Sequence, residues 1–119
     1  MDILIIDDNK EITEMISFFL DIQNISCQVV NEGKEGLLKI INEKYDAILL
    51  DLTMPEFSGF DLFNILKEEN LLKQNNILLF TASYISDEDI QDMISDGVRG
   101  VLRKPVSIDN IIEVLSKFS

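Results

Sequence analysis

The sequence predicts an α/β fold: a five-stranded parallel sheet with helices on both faces, in a single domain spanning residues 1–119. Three observations carry this. Short apolar runs, the signature of strands buried on both faces, alternate five times with apolar stripes at helical spacing. Strand–helix alternation of this kind builds right-handed crossovers, which put helices on both sides of a parallel sheet. A length of 119 residues, with no linker, repeat or low-complexity tract, fits one domain and no second module beside a normal core.

Each element follows in order. Ile3-Leu4-Ile5-Ile6 is a strand ending at Asp7-Asp8. Ile12, Met15, Ile16, Phe19 and Leu20 mark the core stripe of a first helix, which Asp8 or Asn9 can cap. Cys27-Gln28-Val29-Val30 is a weaker second strand, and Leu37, Leu38, Ile40 and Ile41 mark a second helix entered after Gly33. Ala47-Ile48-Leu49-Leu50 is a third strand ending on Asp51, followed by a loop punctuated by Pro55 and Gly59. Phe60, Phe63, Ile65 and Leu66 belong to the third helix. Ile77-Leu78-Leu79-Phe80 is a fourth strand ending at Thr81, and Ile90, Met93 and Ile94 lie on an acidic fourth helix stopped by Gly97. Val101-Leu102 centres a fifth strand ending at Lys104-Pro105, and Ile108, Ile111, Ile112 and Leu115 form the last stripe.

Composition removes whole classes of function. Acidic residues number 22 against 10 basic, a formal charge of −12, which argues against DNA, RNA or anionic membranes and favours cationic partners. The absence of histidine excludes Ser-His and Cys-His chemistry, and a single cysteine, Cys27, excludes an intramolecular disulfide. Cys27 reads as a buried small hydrophobe. No apolar run approaches the ~20 residues that span a bilayer, and the N-terminus lacks the features of a signal peptide. A cytoplasmic protein is expected.

Parallel sheets place their sites outside the carboxyl ends of the strands, near the switch point. The polar residues there are Asp7, Asp8, Asp51, Thr81 and Lys104. Taken singly each is ordinary, since an aspartate after a strand is usually a cap or a turn residue. Five such residues closing four strands on one edge are hard to explain as independent caps. Three carboxylates in one small volume repel, and a hard divalent cation with oxygen ligands relieves them. With a hydroxyl and an ammonium beside them, they are the parts of a phosphoryl-transfer site in which a carboxylate is the nucleophile.

Asp7-Asp8, Asp51, Thr81 and Lys104-Pro105, with Met54-Pro55 and Gly59 after Asp51, resemble the receiver domain of two-component response regulators over essentially the whole chain. The resemblance implies a flavodoxin-like strand order 2-1-3-4-5. It implies that Asp51 accepts a phosphoryl group from a sensor histidine kinase or phosphotransfer protein. Magnesium, with manganese or calcium as substitutes in vitro, would be held by Asp8, Asp51, the Thr53 carbonyl and, through water, Asp7. Thr81 and Lys104 would contact the phosphoryl group, and the Lys104-Pro105 peptide would often be cis. A stand-alone, chemotaxis-regulator-like receiver without an output domain is expected, signalling through an unidentified downstream protein or by onward transfer.

The chain departs from the family at Val101, where many receivers carry a Tyr or Phe that turns inward with the threonine. Tyr84 is a candidate replacement, beside a switch that uses loop movement alone. Thr53 and Ser83 would flank the path of an attacking water. Asp87, Glu88, Asp89, Asp92 and Asp96, with Arg99 and Arg103, form either a solvated face, a surface for a basic partner, or the dimer face (fourth helix, fifth strand, last helix) of a monomer that pairs on phosphorylation. Val114 and Phe118 lie off the core stripe of the last helix. Competing functions are a magnesium-dependent aspartyl-phosphate phosphatase, disfavoured by Thr53 where an acid/base aspartate is needed, a flavodoxin-like cofactor binder, and a receiver-like interaction module that is not phosphorylated.

Overall fold

A computed structural model of the chain describes residues 1–82 and 85–118. Along it run β1 (Asp2–Ile6), α1 (Lys10–Ile22), β2 (Ser26–Val30), α2 (Gly33–Asn42), β3 (Ala47–Leu50), α3 (Gly59–Glu68), β4 (Ile77–Thr81), α4 (Asp87–Asp96), β5 (Gly100–Arg103) and α5 (Ile108–Leu115), with a final 3-10 turn at Ser116–Phe118. The strands pair in parallel in the order β2-β1-β3-β4-β5. The predicted fold class and strand order are therefore observed.

Strand side chains alternate between two cores because successive Cβ atoms point to opposite faces. Leu4, Ile6, Ile48, Leu50, Ile77 and Leu79 pack with residues of α2, α3 and α4, including Ile40, Leu62, Leu66 and Ile90. Ile3, Ile5, Leu49, Leu78, Phe80 and Leu102 pack with Ile16 and Leu20 of α1 and Ile111 and Leu115 of α5. The starts of α1, α3, α4 and α5 are set by short polar side chains that accept from orphan backbone N–H groups. Asn9 accepts from the Ile12 N–H at 3.1 Å, and Ser58 and Asp61 form a reciprocal capping box at the start of α3. Gly97, at φ +134°, ends α4 in a conformation that a Cβ would strain.

Two helices sit rotated from their predicted faces. On α1 the buried line runs Thr13, Ile16, Leu20, while Met15, Phe18, Phe19 and Ile22 are exposed. The rings of Phe18 and Phe19 meet edge to face outside the core. On α2 the line runs Gly33, Gly36, Ile40. A Cβ on Gly36 would fall within 2.9 Å of three Ile6 side-chain carbons, so glycine lets this helix lie close to β1. That close approach turns Leu38 and Ile41 outward, to 59% and 54% exposure. Ile40→Ala should accordingly cost about 2–4 kcal/mol, whereas Leu38→Ala should stay within about 0.5 kcal/mol. Urea denaturation of the two variants checks this, and equal losses would overturn the assigned rotation.

Val114 and Phe118 also depart from expectation: both are half-buried and pack against the α1/α5-side core. Cys27 is half-buried, and burial pushes its thiol up to about 11, which keeps it protonated and unreactive. Among the described residues, no helix is long and apolar enough to cross a membrane.

Candidate functional site at the carboxyl edge of the sheet

The site is assembled by strand register. Ile6 of β1 lies opposite Leu50 of β3, and the Asp51 N–H donates to the Ile6 carbonyl at 2.9 Å. The residues following these two strands, Asp7 and Asp51, are thereby held close together, and both are buried. Asp8 is exposed beside them. One carboxylate oxygen from each of Asp7, Asp8 and Asp51 lies within 4.8 Å of the others.

Lys104 enters from the end of β5. Its N–H donates to the Thr81 carbonyl at 2.7 Å, and the Lys104–Pro105 peptide is cis. Its ammonium lies 2.7 Å from Asp7 Oδ2 and 3.8 Å from Asp51 Oδ2. Thr81, the last residue of β4, is fully buried, and its hydroxyl has no hydrogen-bond partner among the described residues. An orphan buried hydroxyl at a strand end is costly unless something else engages it in a working state. Thr53 donates to Asp51 Oδ1 from its N–H at 3.2 Å and its hydroxyl at 3.4 Å.

Asp51 carries the electrostatic tension of the site. Burial is the main force against its charge, and the neighbouring Asp7 adds repulsion. Lys104 and the Thr53 N–H pull the other way, and the carboxyl ends up raised to about 7. A cation among the three carboxylates would reverse that balance. All-oxygen donors with an exposed member suit a hard divalent ion that keeps part of its water, so the donor set fits magnesium.

The predicted residues Asp7, Asp8, Asp51, Thr53, Thr81 and Lys104 thus sit at one edge. Pro105 is exposed next to them, and Val101 is half-buried against the α2-side core, opposite Leu79. Ser83 and Tyr84 lie outside the described residues. Sequence reading missed Asn31, whose amide donates to the Asp7 carbonyl at 2.8 Å and to the Thr13 hydroxyl at 3.3 Å. The rule that selected the other residues would have found it, because Asn31 follows β2 directly. The acidic surface of α4 is partly neutralised within the chain: Arg103 pairs with Asp87 at 2.7 Å and Lys67 with Asp96 at 3.0 Å. Arg99 lies just ahead of β5 and donates to the Lys73 carbonyl at 3.3 Å.

A doubly wound parallel sheet with carboxylates, a hydroxyl and an ammonium gathered at its carboxyl edge defines a flavodoxin-like α/β protein. The sequence profile of the response regulator receiver domain matches residues 3–116, and the chain belongs to that family. It is similar to a CpxR homolog from Haemophilus influenzae described as a transcriptional regulatory protein, at 34% identity over 92% of this chain and 46% of the relative. An uncharacterized 14.6 kDa protein of Leptolyngbya boryana is 28% identical over 99% of this chain and 89% of that protein. Among solved structures, the receiver domain of the Francisella response regulator 1452 superposes with a TM-score of 0.87, at 30% identity, over 98% of this chain and 94% of that one. The chain spans under half the length of the transcriptional regulator and most of the other two. As a receiver domain of two-component signalling, it is a switch rather than a turnover enzyme.

Proposed function

We propose that this receiver is switched by phosphorylation of Asp51 with magnesium present. The observation that carries the reading is the convergence of Asp7, Asp8 and Asp51 within 4.8 Å, with the Lys104 ammonium 3.8 Å from Asp51. A carboxylate oxygen of Asp51 attacks the phosphorus of a phosphohistidine on a kinase or phosphotransfer protein. The new O–P bond forms as the P–N bond breaks, and its electron pair returns to the imidazole nitrogen. Asp8, Asp51, the Thr53 carbonyl and, through water, Asp7 would hold magnesium, which would supply positive charge against the transferring oxygens. Lys104 exchanges part of its pairing with Asp7 for the added phosphoryl oxygens. The Thr81 hydroxyl donates to the same group, which gives that orphan a partner. Output passes to a downstream protein, and the face formed by α4, β5 and α5 is the surface suited to a basic partner or a second phosphorylated copy.

Incubation with acetyl phosphate and magnesium, read by intact mass, tests the reading. The wild type is expected to gain one phosphoryl group. Asp51→Asn, or chelation of the metal, is expected to abolish the gain. An unlabelled wild type in the presence of magnesium would sink the proposal.

A further inference from the structure

We infer that Phe80 is a positioning residue for Lys104, a role that rests on the phosphoacceptor reading of the same site. Phe80 precedes Thr81 on β4 and points to the α1/α5 side of the sheet, where it is 3% exposed and packed with Ile16 and Ile111. The Lys104 ammonium lies 4.8 Å from the centre of its ring. The same ammonium is 2.7 Å from Asp7 Oδ2 and 3.8 Å from Asp51 Oδ2. The cation is therefore bounded by two carboxylates on one side and an aromatic ring on another.

The chemistry of a lysine makes that wall consequential. Its ammonium ends a flexible stem with four rotatable bonds, and its position is set by whatever surrounds it. Phe80 has no such freedom, because a side chain buried in a close-packed core is held in its rotamer. The negative face of the ring attracts the cation, and does so more strongly where water is partly excluded, as for a Lys104 side chain that is 22% exposed. An aliphatic residue at position 80 would fill the core but exert no such pull. The ring also lines an apolar groove with Ile12, Met15, Pro105 and Val106, which opens beside the lysine stem. Phe80 thus keeps Lys104 where charge develops on the transferring phosphoryl oxygens, and pre-organised charge is what accelerates such a step. The sequence pattern alone assigned Phe80 only to the core.

Three variants and one spectroscopic readout test this. Phosphorylation of Asp51 by acetyl phosphate with magnesium is timed by intact mass in the wild type, Phe80→Leu, Lys104→Met and the double variant. In that reaction the Asp51 oxygen forms its bond to phosphorus as the bond to the acetate oxygen breaks, and acetate leaves with the electron pair. Phe80→Leu is expected to slow labelling about tenfold, and to have no further effect once Lys104 is methionine. In parallel, protein labelled with 13C at lysine Cε is compared by NMR, the Lys104 signal being identified by its loss in Lys104→Met. The ring shifts that signal away from the other lysines in the wild type, and Phe80→Leu should return it among them. If Phe80→Leu does not fold, 3,4,5-trifluorophenylalanine at position 80 keeps the shape, weakens the negative face, and should slow labelling likewise.

Wild-type rates in Phe80→Leu, or equal slowing with and without Lys104, would overturn the positioning role and leave Asp51 as acceptor. An unshifted Lys104 signal in the wild type would overturn the contact itself. A wild type that does not label would defeat the phosphoacceptor reading and the positioning role with it. The NMR comparison would then still say whether the ring and the ammonium meet.

Discussion

Gly59→Ala is expected to remove at least ~3 kcal/mol of stability, a large share of the 5–15 kcal/mol typical of a small domain. Gly59 opens α3, and its N–H donates to the Leu52 carbonyl at 3.1 Å. A Cβ there would be driven into the Asp51 carbonyl oxygen, and would come within 2.6 Å of the Leu52 Cα and 2.8 Å of the Asp51 carbonyl carbon. All three neighbours are backbone, so no side chain can swing aside. Either α3 shifts along the sheet or the end of β3 gives way. Gly100→Ala is the control, because its nearest neighbour would be a Leu78 methyl at 3.3 Å, the free end of a side chain. That variant should lose no more than about 1 kcal/mol. Urea denaturation followed by circular dichroism compares the two, and equal midpoints would refute the account. Because the clash falls on the backbone of Asp51, Gly59→Ala protein that still folds should also label more slowly with acetyl phosphate.

The position of Gly59 illustrates what the sequence makes legible. Strands that are apolar on both faces and end on polar residues announce a parallel sheet and its functional edge. Asp7, Asp8, Asp51, Thr81 and Lys104 could thus be selected from pattern alone, and they do lie together. What pattern could not supply was rotation and pairing. The first two helices carry more apolar residues than one face can bury. Which of them turn inward depends on how closely each helix approaches the sheet. Gly36 sets that approach for α2, leaving Leu38 and Ile41 outside, while Gly33 makes room for Phe57 in the loop after β3. Phe118 reaches the core because the chain continues into a 3-10 turn beyond α5, while Val114, within α5, packs at the edge of the same core. At the site, the resemblance ties Lys104 to a phosphoryl group, and the structure adds a pairing of its ammonium with Asp7 that the resemblance did not imply. Asn31 could have been found by the same rule, since it directly follows β2, but the contribution of Phe80 comes from a contact between residues far apart in the chain, which no local spacing encodes.

The stability of the metal-free protein should fall as pH rises from about 4 to about 7, and Asp51→Asn should abolish most of that fall. Asp51 has an ordinary value of 3.8 that the fold raises to about 7. Between those values the native state holds a proton that the unfolded chain has released, so each increment of pH favours unfolding. The stabilising effect of the protonated carboxyl is complete below the unfolded value and is gone once pH passes the folded one. The loss for a buried group shifted this far is roughly 2–4 kcal/mol by pH 8. Asparagine has nearly the same shape and no charge to bury, and it leaves Lys104 its 2.7 Å pairing with Asp7. Asp51→Asn should therefore melt at a higher temperature than the metal-free wild type at pH 8, and at a similar one at pH 4. Magnesium should act unequally on the two proteins. It binds the deprotonated cluster, so it should raise the wild-type melting temperature strongly at pH 8 and little at pH 5, where it competes with protons. In Asp51→Asn, with one carboxylate fewer, it should act weakly at both. Thermal melts of both proteins at each pH, with and without magnesium, provide the check. A wild type whose stability is flat from pH 4 to 7, or an Asp51→Asn no more stable than wild type at pH 8 without metal, would mean that Asp51 is not held against its charge. Asp51 would still offer its carboxylate to a cation, but binding would no longer gain from the relief of a buried, repelled charge.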